Sequence, residues 1–416
     1  MARQADNLLQ NFQMDEFTEE DYDIITVDEI KETLTHEDLP SVVSKIKDYF
    51  EQQDRVELNI AVTGESGSGK STFINAFRGM GDEEEGSAET GVVETTKFPT
   101  PHLHPKYPNV KLWDLPGIGT PNFKANHYLK QVEFQRYDFF IIIASDRFRE
   151  CHATLAAEIV KMDKKFYFIR SKIDSNISAE KRKKKKIFDE QNILDAIRKD
   201  CIEGLEKIGV DSPVVFLISC FDLALYDFNY LEMTMETELP QHKRHMLMLA
   251  LPNISLEINE RKKKALQKNI WKLALMSGAV AAVPIPIANA AFSVIVDVMI
   301  LVVELKKYYN AFSVDPASLQ RLADRSERSV DELKAVMKSP LHAEINKDLV
   351  IKLLAGCAVG GLEAAAEFWL GLIPVVGSLV AGPLSFATVY FTLKSCLNGL
   401  AEDARNVLMA ALETPV

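Results

Sequence analysis

Short runs rich in apolar residues, of which 139–144 is continuously apolar, alternate with longer amphipathic stretches between about residues 58 and 240. The apolar runs occupy residues 58–63, 109–114, 139–144, 166–170 and 213–219. Because they are short and rich in β-branched or aromatic residues, they predict buried strands. The stretches between them place apolar residues three or four positions apart, as at Ile193, Ile197 and Cys201, which predicts helices. This alternation predicts the α/β fold class, with a doubly wound, mostly parallel sheet.

The pattern changes after Leu239, where helical periodicity dominates. Two uncharged stretches, 273–296 and 368–393, are long enough to span a membrane. Prolines interrupt the first at 284–286, and glycines and prolines interrupt the second around Pro374. The resulting pieces suit buried helical hairpins better than membrane spans. We expect buried hairpins, and membrane insertion or re-entrant contact is the alternative.

Two short helices are predicted between these apolar stretches. The segment 315–319 begins with Asp315 followed by Pro316, which is a helix-start signal. The second segment begins at Ser329 and has Asp331 and Glu332 in its first turn. The region between the two apolar stretches is therefore predicted to be helical as well.

These changes in pattern divide the chain into three parts. Residues 1–55 form a predicted N-terminal helical segment, in which Val43, Ile46 and Phe50 share one helix face. Residues 56–240 form the predicted α/β domain, and residues 241–416 the predicted C-terminal helical domain. The length of 416 residues suits two or three domains.

Charge and cysteine content narrow the possible functions. The net charge of −12 argues against a general nucleic-acid binder, whose affinity would rest on a basic surface. The five cysteines are scattered, which fits a reducing compartment. The N-terminus has no apolar signal core and no glycine after Met1 for myristoylation. These features predict a cytoplasmic protein; a membrane-associated fraction is expected only from the family resemblance given below.

The segment 64–71 reads G-x-x-x-x-G-K-S, the phosphate-binding P-loop, and it lies between a predicted strand and a predicted helix. Its glycines let backbone N–H groups turn towards a polyphosphate at the positive end of the helix. Lys70 is the candidate catalytic cation on the β- and γ-phosphates, and the Ser71 hydroxyl is a candidate ligand of Mg²⁺. The candidate nucleotide-binding residues here are Gly64, Glu65, Ser66, Gly67, Ser68, Gly69, Lys70, Ser71 and Thr72.

A second predicted strand ends in Asp114-Leu115-Pro116-Gly117, a D-x-x-G motif. Asp114 is expected to hold Mg²⁺ through water, and the Gly117 amide to contact the γ-phosphate. A mobile loop in such proteins carries a threonine to the metal. Thr90, Thr95 and Thr96 are the candidates, and the sequence alone does not choose between them; Thr90 is named with Ser71 and Asp114 as a metal-site candidate. Ile118 follows Gly117, so a glutamine that could orient an attacking water is absent at that position.

The strand at 166–170 is followed by Ser171-Lys172-Ile173-Asp174, which matches the guanine-reading pattern [NTS]-K-x-D. A carboxylate at Asp174 can accept hydrogen bonds from N1–H and from the 2-amino group of guanine, which adenine does not offer in this geometry. Ser219 and Cys220 follow the last strand, where backbone contacts to the guanine carbonyl are expected. The predicted ligands are therefore GTP or GDP with Mg²⁺.

Several segments together resemble the interferon-inducible immunity-related GTPases. They are residues 65–71, 83–86, 90–94, 113–119 and 137–142. The similarity extends from about residue 40 to 270, and it weakens beyond that. Lys70 places the chain with family members that have an ordinary lysine-containing P-loop.

The resemblance implies a dynamin-like architecture, with a Ras-like GTPase domain and a helical domain built from both chain ends. It implies GTP-dependent homo-oligomers, contacts with other family members, and peripheral contact with membranes of pathogen-containing vacuoles. It also implies that Glu94 acts in catalysis across a contact between two nucleotide domains. The chain departs from the family pattern in the absent myristoylation glycine, in the basic run 181–186, and in the composition of its second apolar stretch.

Two alternative functions stay open at this point. The chain could be a nucleotide-gated regulator with little turnover that controls other family members, a reading that the absent glutamine supports. It could also be a membrane protein, if the proline-interrupted apolar segments insert into the bilayer.

Overall fold

The described residues between Leu58 and Glu238 form a six-stranded sheet with helices on both faces. The computed structural model describes residues 56–91, 96, 98–118, 125–183, 188–281, 289–342, 345–354 and 378–412. The strands are β1 (Leu58–Gly64), β2 (Thr100–Leu103), β3 (Val110–Asp114), β4 (Phe139–Ala144), β5 (Lys165–Arg170) and β6 (Val215–Leu217). Their order is β2-β3-β1-β4-β5-β6, and only the β2–β3 pair is antiparallel within this sheet. The predicted α/β fold with a mostly parallel sheet is confirmed.

Strand β2 was not predicted from the sequence. It pairs with β3 at the edge of the sheet, with Thr100 opposite Asp114. Three of its four side chains are exposed and its second residue is Pro101, so it lacks the apolar pattern of the central strands. Proline and polar side chains are tolerated at sheet edges, where no further strand must pair.

The helices of this domain divide between the two faces of the sheet. They are α1 (Lys70–Phe77), α2 (Ala125–Gln131), α3 (Glu150–Lys161), α4 (Ile173–Lys183), α5 (Glu190–Glu206) and α6 (Phe228–Glu238). A short 3₁₀ turn, Phe134–Arg136, follows α2. Helices α2, α3 and α5 cover one face, where Ala61, Phe140 and Ile142 are buried. Helices α1 and α6 cover the other face.

The second part of the chain is helical throughout its described length. It contains α7 (Gln241–Ala250), α8 (Leu256–Ala281), α9 (Asn289–Phe312), α10 (Pro316–Ser326), α11 (Val330–Ala335) and α12 (Ser378–Leu412), with a 3₁₀ turn at Pro340–His342. Helix α8 packs along α12 and against α9. The side chain of Asp297 on α9 accepts hydrogen bonds from Ser277 on α8 at 2.6 Å and from Ser385 on α12 at 2.7 Å. A buried polar cluster therefore joins the three long helices.

The helical region and one face of the sheet share a single apolar core. Ile60 and Val62 of β1 belong to the same buried cluster as Leu247 of α7, Leu266 of α8 and Leu305 of α9. Burial of a contiguous apolar surface across both regions fixes their relative position.

Helix α10 adds three ion pairs between the regions. Asp315 pairs with Lys106 at 2.5 Å, Arg321 with Glu84 at 2.9 Å, and Arg325 with Asp222 at 3.0 Å. The three partners lie in loops of the sheet domain.

Several sequence predictions fall on segments outside the described residues. These include the N-terminal helical segment, the proline turn at 284–286, the basic residues 184–186 and the first part, 368–377, of the second apolar stretch. Within the described part of the chain, no helix is both long and apolar enough to cross a membrane.

Candidate nucleotide-binding site

The segment 64–71 joins β1 to α1 in a tight glycine-dependent loop. Gly64 has a φ of +151°, Gly67 of +75° and Gly69 of +93°, all in the region that favours glycine. A Cβ atom on Gly64 would lie 2.1 Å from the backbone oxygen of Ile143. Gly69 is the N-cap of α1, so the backbone N–H groups at the N-terminus of this helix lie next to the loop. This geometry suits an anionic phosphate group.

The Lys70 side chain lies inside the loop. It is 8% exposed, and its Nζ donates hydrogen bonds to the backbone oxygens of Gly64 at 3.4 Å and Glu65 at 3.0 Å. The loop itself thus holds the ammonium group against the start of α1. A single charge in this position can neutralise charge on a bound phosphate.

Three oxygen-bearing side chains meet at the ends of β1 and β3. Ser71 Oγ and Thr96 Oγ1 each donate a hydrogen bond of 2.9 Å to Oδ2 of Asp114. The other carboxylate oxygen, Oδ1, is buried and has no hydrogen-bond partner within the described residues. Hydroxyl and carboxylate oxygens are the ligands that Mg²⁺ prefers, so these residues fit that ion.

The three candidate threonines have different positions. Thr96 contacts Asp114, whereas Thr90, the metal-site candidate named from the sequence, is exposed in the loop after α1. Thr95 and the candidate catalytic residue Glu94 lie outside the described residues. The geometry therefore favours Thr96 over Thr90 as the metal-directed threonine. Gly117 lies close by, because Ile118 donates its amide to the Gly64 oxygen at 3.0 Å.

The predicted guanine-reading residues lie directly beside the P-loop. Ser171 Oγ donates to the Ser68 backbone oxygen at 2.6 Å, and Lys172 Nζ to the Gly67 oxygen at 2.8 Å. Asp174 lies in the first turn of α4, and its Oδ1 is buried without a hydrogen-bond partner among the described residues. An unsatisfied buried carboxylate oxygen is costly unless a ligand supplies a donor.

Ser219 and Cys220, which the sequence predicts to contact guanine through their backbone, follow β6. Ser219 is 1% exposed and accepts a hydrogen bond from the Asp222 amide at 3.3 Å. Burial, followed by the charge of Asp174, raises the pKa of the Cys220 thiol to about 12. Cys220 is therefore a neutral thiol near Asp174 at physiological pH.

The Glu65 side chain turns away from the phosphate loop towards α3. Its carboxylate accepts a hydrogen bond of 3.0 Å from Arg149 and lies 3.9 Å from His152 Nε2. His152 is fully buried, which lowers its pKa to about 4. Its Nδ1 accepts the Arg149 amide, so Nε2 carries the proton of the neutral ring and is a poor metal ligand. Arg149 was not predicted, because it lies 84 positions from Glu65 and no local motif links them.

The sequence matches a known family over almost its whole length. Residues 24–411 match the family described as Interferon-inducible GTPase (IIGP). The chain is 44% identical to Interferon-inducible GTPase 5 of Bos taurus over 376 residues, covering 90% of this chain and 80% of that protein. It is 42% identical to Interferon-gamma-inducible GTPase 10 of Mus musculus over 386 residues, covering 92% of this chain and 88% of that protein.

A more distant relative covers more of the chain. The identity is 36% over 415 residues with T-cell-specific guanine nucleotide triphosphate-binding protein 2 of Mus musculus, covering 99% of this chain and 94% of that protein. Among solved structures, the chain is similar to Era in complex with MgGDPNP and a segment of 16S ribosomal RNA. That match has a TM-score of 0.32 and 18% identity, and it covers 52% of this chain and 66% of that one.

Proposed function

The chain belongs to the interferon-inducible GTPase family, and on that premise we propose that it binds GTP with Mg²⁺ and hydrolyses it to GDP and phosphate in an immune role. The observation that carries this proposal is the convergence of Ser71, Thr96 and Asp114 beside the loop that holds Lys70. Phosphoryl transfer needs positioned cations and oxygen ligands more than it needs covalent chemistry.

Each residue has a defined task in this reaction. The backbone N–H groups of residues 67–71 receive the phosphates, and the Lys70 ammonium offsets the charge that develops on them. Ser71, Thr96 and Asp114 are the residues that would hold Mg²⁺. When bound, the ion neutralises charge on the β- and γ-phosphates. The Gly117 amide is directed at the γ-phosphate, so its contact exists in the GTP state and is lost in the GDP state.

Guanine is selected on the other side of the site. The Asp174 carboxylate accepts from N1–H and the 2-amino group of the base, and the Lys172 stem lies over the ring. The bonds from Ser171 and Lys172 to the phosphate loop couple base recognition to the position of the phosphates. Ser219 and Cys220 complete the base pocket through their backbone.

Substitution of the two threonines tests the metal site. We expect Thr96→Val to raise the Mg²⁺ concentration needed for half-maximal GTP turnover, and to lower turnover at saturating Mg²⁺ by about tenfold or more. Thr90→Val is the matched control, because Thr90 is a threonine of the same loop that lies exposed. A larger loss in Thr90→Val than in Thr96→Val would reverse the assignment.

The finer proposal is that hydrolysis is completed between two subunits. Its support is Ile118, which stands where other GTPases have a glutamine, together with the family resemblance that gives Glu94 a role across the contact. We expect GTP turnover per subunit to rise with protein concentration, and Glu94→Ala to flatten the rise. Glu89→Ala, an exposed acid in the same loop, is the control and keeps the rise. Low turnover at every concentration, with a GTP complex that persists for hours, would favour a nucleotide-gated regulator of other family members.

Assembly on the membranes of pathogen-containing vacuoles is the proposed cellular setting. The contact is proposed to be peripheral, so that alkaline carbonate releases the chain from isolated membranes. Retention in the carbonate pellet would instead favour insertion of the apolar segments.

A further inference from the structure

Tyr128 lies on α2, the helix that follows the D-x-x-G motif. Its hydroxyl group contacts Thr63, just before the phosphate loop, and Pro116 within the D-x-x-G motif. The side chain belongs to α2 and is 7% exposed. Its hydroxyl lies 2.8 Å from Thr63 Oγ1 and donates a hydrogen bond of 2.9 Å to the Pro116 backbone oxygen. Because the tyrosine proton goes to Pro116, the Thr63 hydroxyl is the donor in the first contact.

Each end of this chain of hydrogen bonds lies next to a residue of the proposed reaction. Thr63 is fully buried at the end of β1 and immediately precedes Gly64 of the phosphate loop. Pro116 immediately precedes Gly117, whose amide is proposed to contact the γ-phosphate. The Tyr128 hydroxyl therefore connects the end of β1, just before the phosphate loop, to the D-x-x-G segment.

The Pro116 oxygen and the Gly117 N–H belong to one peptide group. No cis peptide bond occurs in the described chain, so this group is trans and planar. In a trans peptide the C=O and N–H bonds point in opposite directions. A hydrogen bond that fixes the Pro116 carbonyl on one side therefore fixes the direction of the Gly117 N–H on the other.

The peptides on either side hold the segment against β1. Leu115 donates its amide to the Val62 oxygen at 3.0 Å, and Ile118 donates to the Gly64 oxygen at 3.0 Å. These two bonds hold the residues on either side of the 116–117 peptide. Within the described part of the chain, the Tyr128 hydroxyl donates a hydrogen bond to the carbonyl of this peptide.

We propose that Tyr128 is a positioning residue for the γ-phosphate, acting through the orientation of the Gly117 N–H, with Thr63 as its hydrogen-bond donor. The proposal rests on the proposed GTPase function and deepens it, because it gives a side chain outside the nucleotide motifs a role in distinguishing GTP from GDP. GDP has no γ-phosphate, so its binding does not depend on this peptide.

Tyr128→Phe tests the proposal, since it removes only the oxygen atom. We expect the ratio of affinities for a non-hydrolysable GTP analogue over GDP to fall about tenfold, and kcat for GTP to fall by a similar factor. Affinity for GDP, measured by fluorescence with labelled nucleotide, stays at the wild-type value. Equal changes in affinity for the analogue and for GDP would overturn the proposal, and so would no change in either.

Tyr137→Phe is the matched control. Tyr137 is 1% exposed, and its hydroxyl donates to the Val132 backbone oxygen at 2.8 Å, so the substitution removes the same kind of buried bond away from the nucleotide loops. We expect it to lower the melting temperature and to keep the affinity ratio. If the ratio of affinities for the analogue and GDP falls as far in Tyr137→Phe as in Tyr128→Phe, the effect comes from general destabilisation. That result would overturn the proposal.

Thr63 provides a second route if Tyr128→Phe does not fold. Thr63→Val removes the hydroxyl that donates to Tyr128, and Thr63→Ser retains it. The ratio of affinities for the analogue and GDP is therefore expected to fall in Thr63→Val and to equal that of wild type in Thr63→Ser. Equal ratios in the two variants contradict the proposal. A wild-type chain that neither hydrolyses GTP nor prefers the analogue would refute the proposed function itself, which is a different outcome.

Discussion

At the scale of single residues, the shape of the phosphate loop depends on glycines whose backbone conformation other residues rarely adopt. Gly64 is the clearest, because its backbone passes against β4 at a φ of +151°. A Cβ atom there would lie 2.1 Å from the Ile143 backbone oxygen, which cannot move aside as a side chain can, and 2.9 Å from the Ser68 hydroxyl. The P-loop pattern in the sequence already required glycine at this position, although the contact with Ile143 is visible only in the fold.

Gly64→Ala is therefore expected to lower the free energy of unfolding by about 3 kcal/mol or more, as severe steric strain does. Gly79→Ala is the control, since Gly79 also has a positive φ, of +65°, but a Cβ there meets nothing within 4 Å. Its cost is about 1–2 kcal/mol, from the backbone conformation alone. Chemical denaturation measures both values, and equal losses would show that the close contact is unimportant.

Asp174 is the residue that we propose determines base specificity. Asp174→Asn replaces one hydrogen-bond acceptor by a donor, so GTP affinity is expected to fall by about 100-fold or more. Affinity for xanthosine triphosphate, which carries a carbonyl at position 2, is expected to rise. Nucleotide titrations with Asp195→Asn, an exposed acid on α5, as control measure the change. Unchanged GTP affinity would remove Asp174 from the base pocket.

At the scale of elements, helix starts could be predicted because their signals are local. The predicted starts at Asp315 and Ser329 are confirmed, since each side chain accepts the backbone amide three residues on, Ser318 and Glu332 respectively. The Glu332 carboxylate in turn accepts a hydrogen bond from the Ser329 amide, as in a capping box. By contrast, the exposed edge strand β2 has no apolar alternation, and its position depends on pairing with β3.

Helix α5 provides a direct test of such a local signal. Asp189 caps it by accepting the Asn192 amide at 3.1 Å. Asp189→Ala is expected to lower the free energy of unfolding by about 1 kcal/mol, because a first-turn donor loses its partner. Asp195→Ala, inside the same helix, is expected to change it by less than about 0.5 kcal/mol. Thermal denaturation compares the two, and a larger effect at Asp195 would contradict the capping role.

At the scale of the whole molecule, contacts between segments far apart in the chain could not be predicted from the sequence. The motifs predicted the sheet, the phosphate loop and the guanine residues because each is local and lies at a strand end. Thr96 could not be separated from Thr90 and Thr95, since all three share one loop. The pairs Thr63–Tyr128 and Glu65–Arg149 are 65 and 84 positions apart and follow from the fold alone.

The ion pair between Lys106 and Asp315 makes the stability of the contact between the sheet region and the helical region depend on pH. Burial alone would raise the pKa of Asp315, but the charge and hydrogen bond of Lys106 and the bonds from Ser318 lower it to about 2, from an ordinary 3.8. A lowered folded-state pKa gives stability that is complete above the unfolded pKa and lost as pH falls towards the folded pKa. This contribution is therefore lost between about pH 4 and pH 2, and amounts to about 2 kcal/mol.

Asp315→Asn isolates that contribution, because asparagine retains the helix cap and removes the charge. We expect the variant to be about 2 kcal/mol less stable than wild type at pH 6, with the difference shrinking as pH falls below 4. Urea unfolding at a series of pH values measures it. A difference that stays constant from pH 6 to pH 2 would mean that the ion pair is not its source.

The rate of phosphate release from GTP by the full-length chain tests the central claim most directly. It is measured with Mg²⁺ in wild type, in Lys70→Ala and in the control Lys161→Ala, an exposed lysine on α3, with ATP as the competing substrate. We predict that wild type and the control hydrolyse GTP with kcat/KM about 100-fold or more above that for ATP. Lys70→Ala is expected to lose about 100-fold or more in turnover. Turnover in Lys70→Ala equal to wild type, or equal use of GTP and ATP, would contradict the claim that this site is a GTPase.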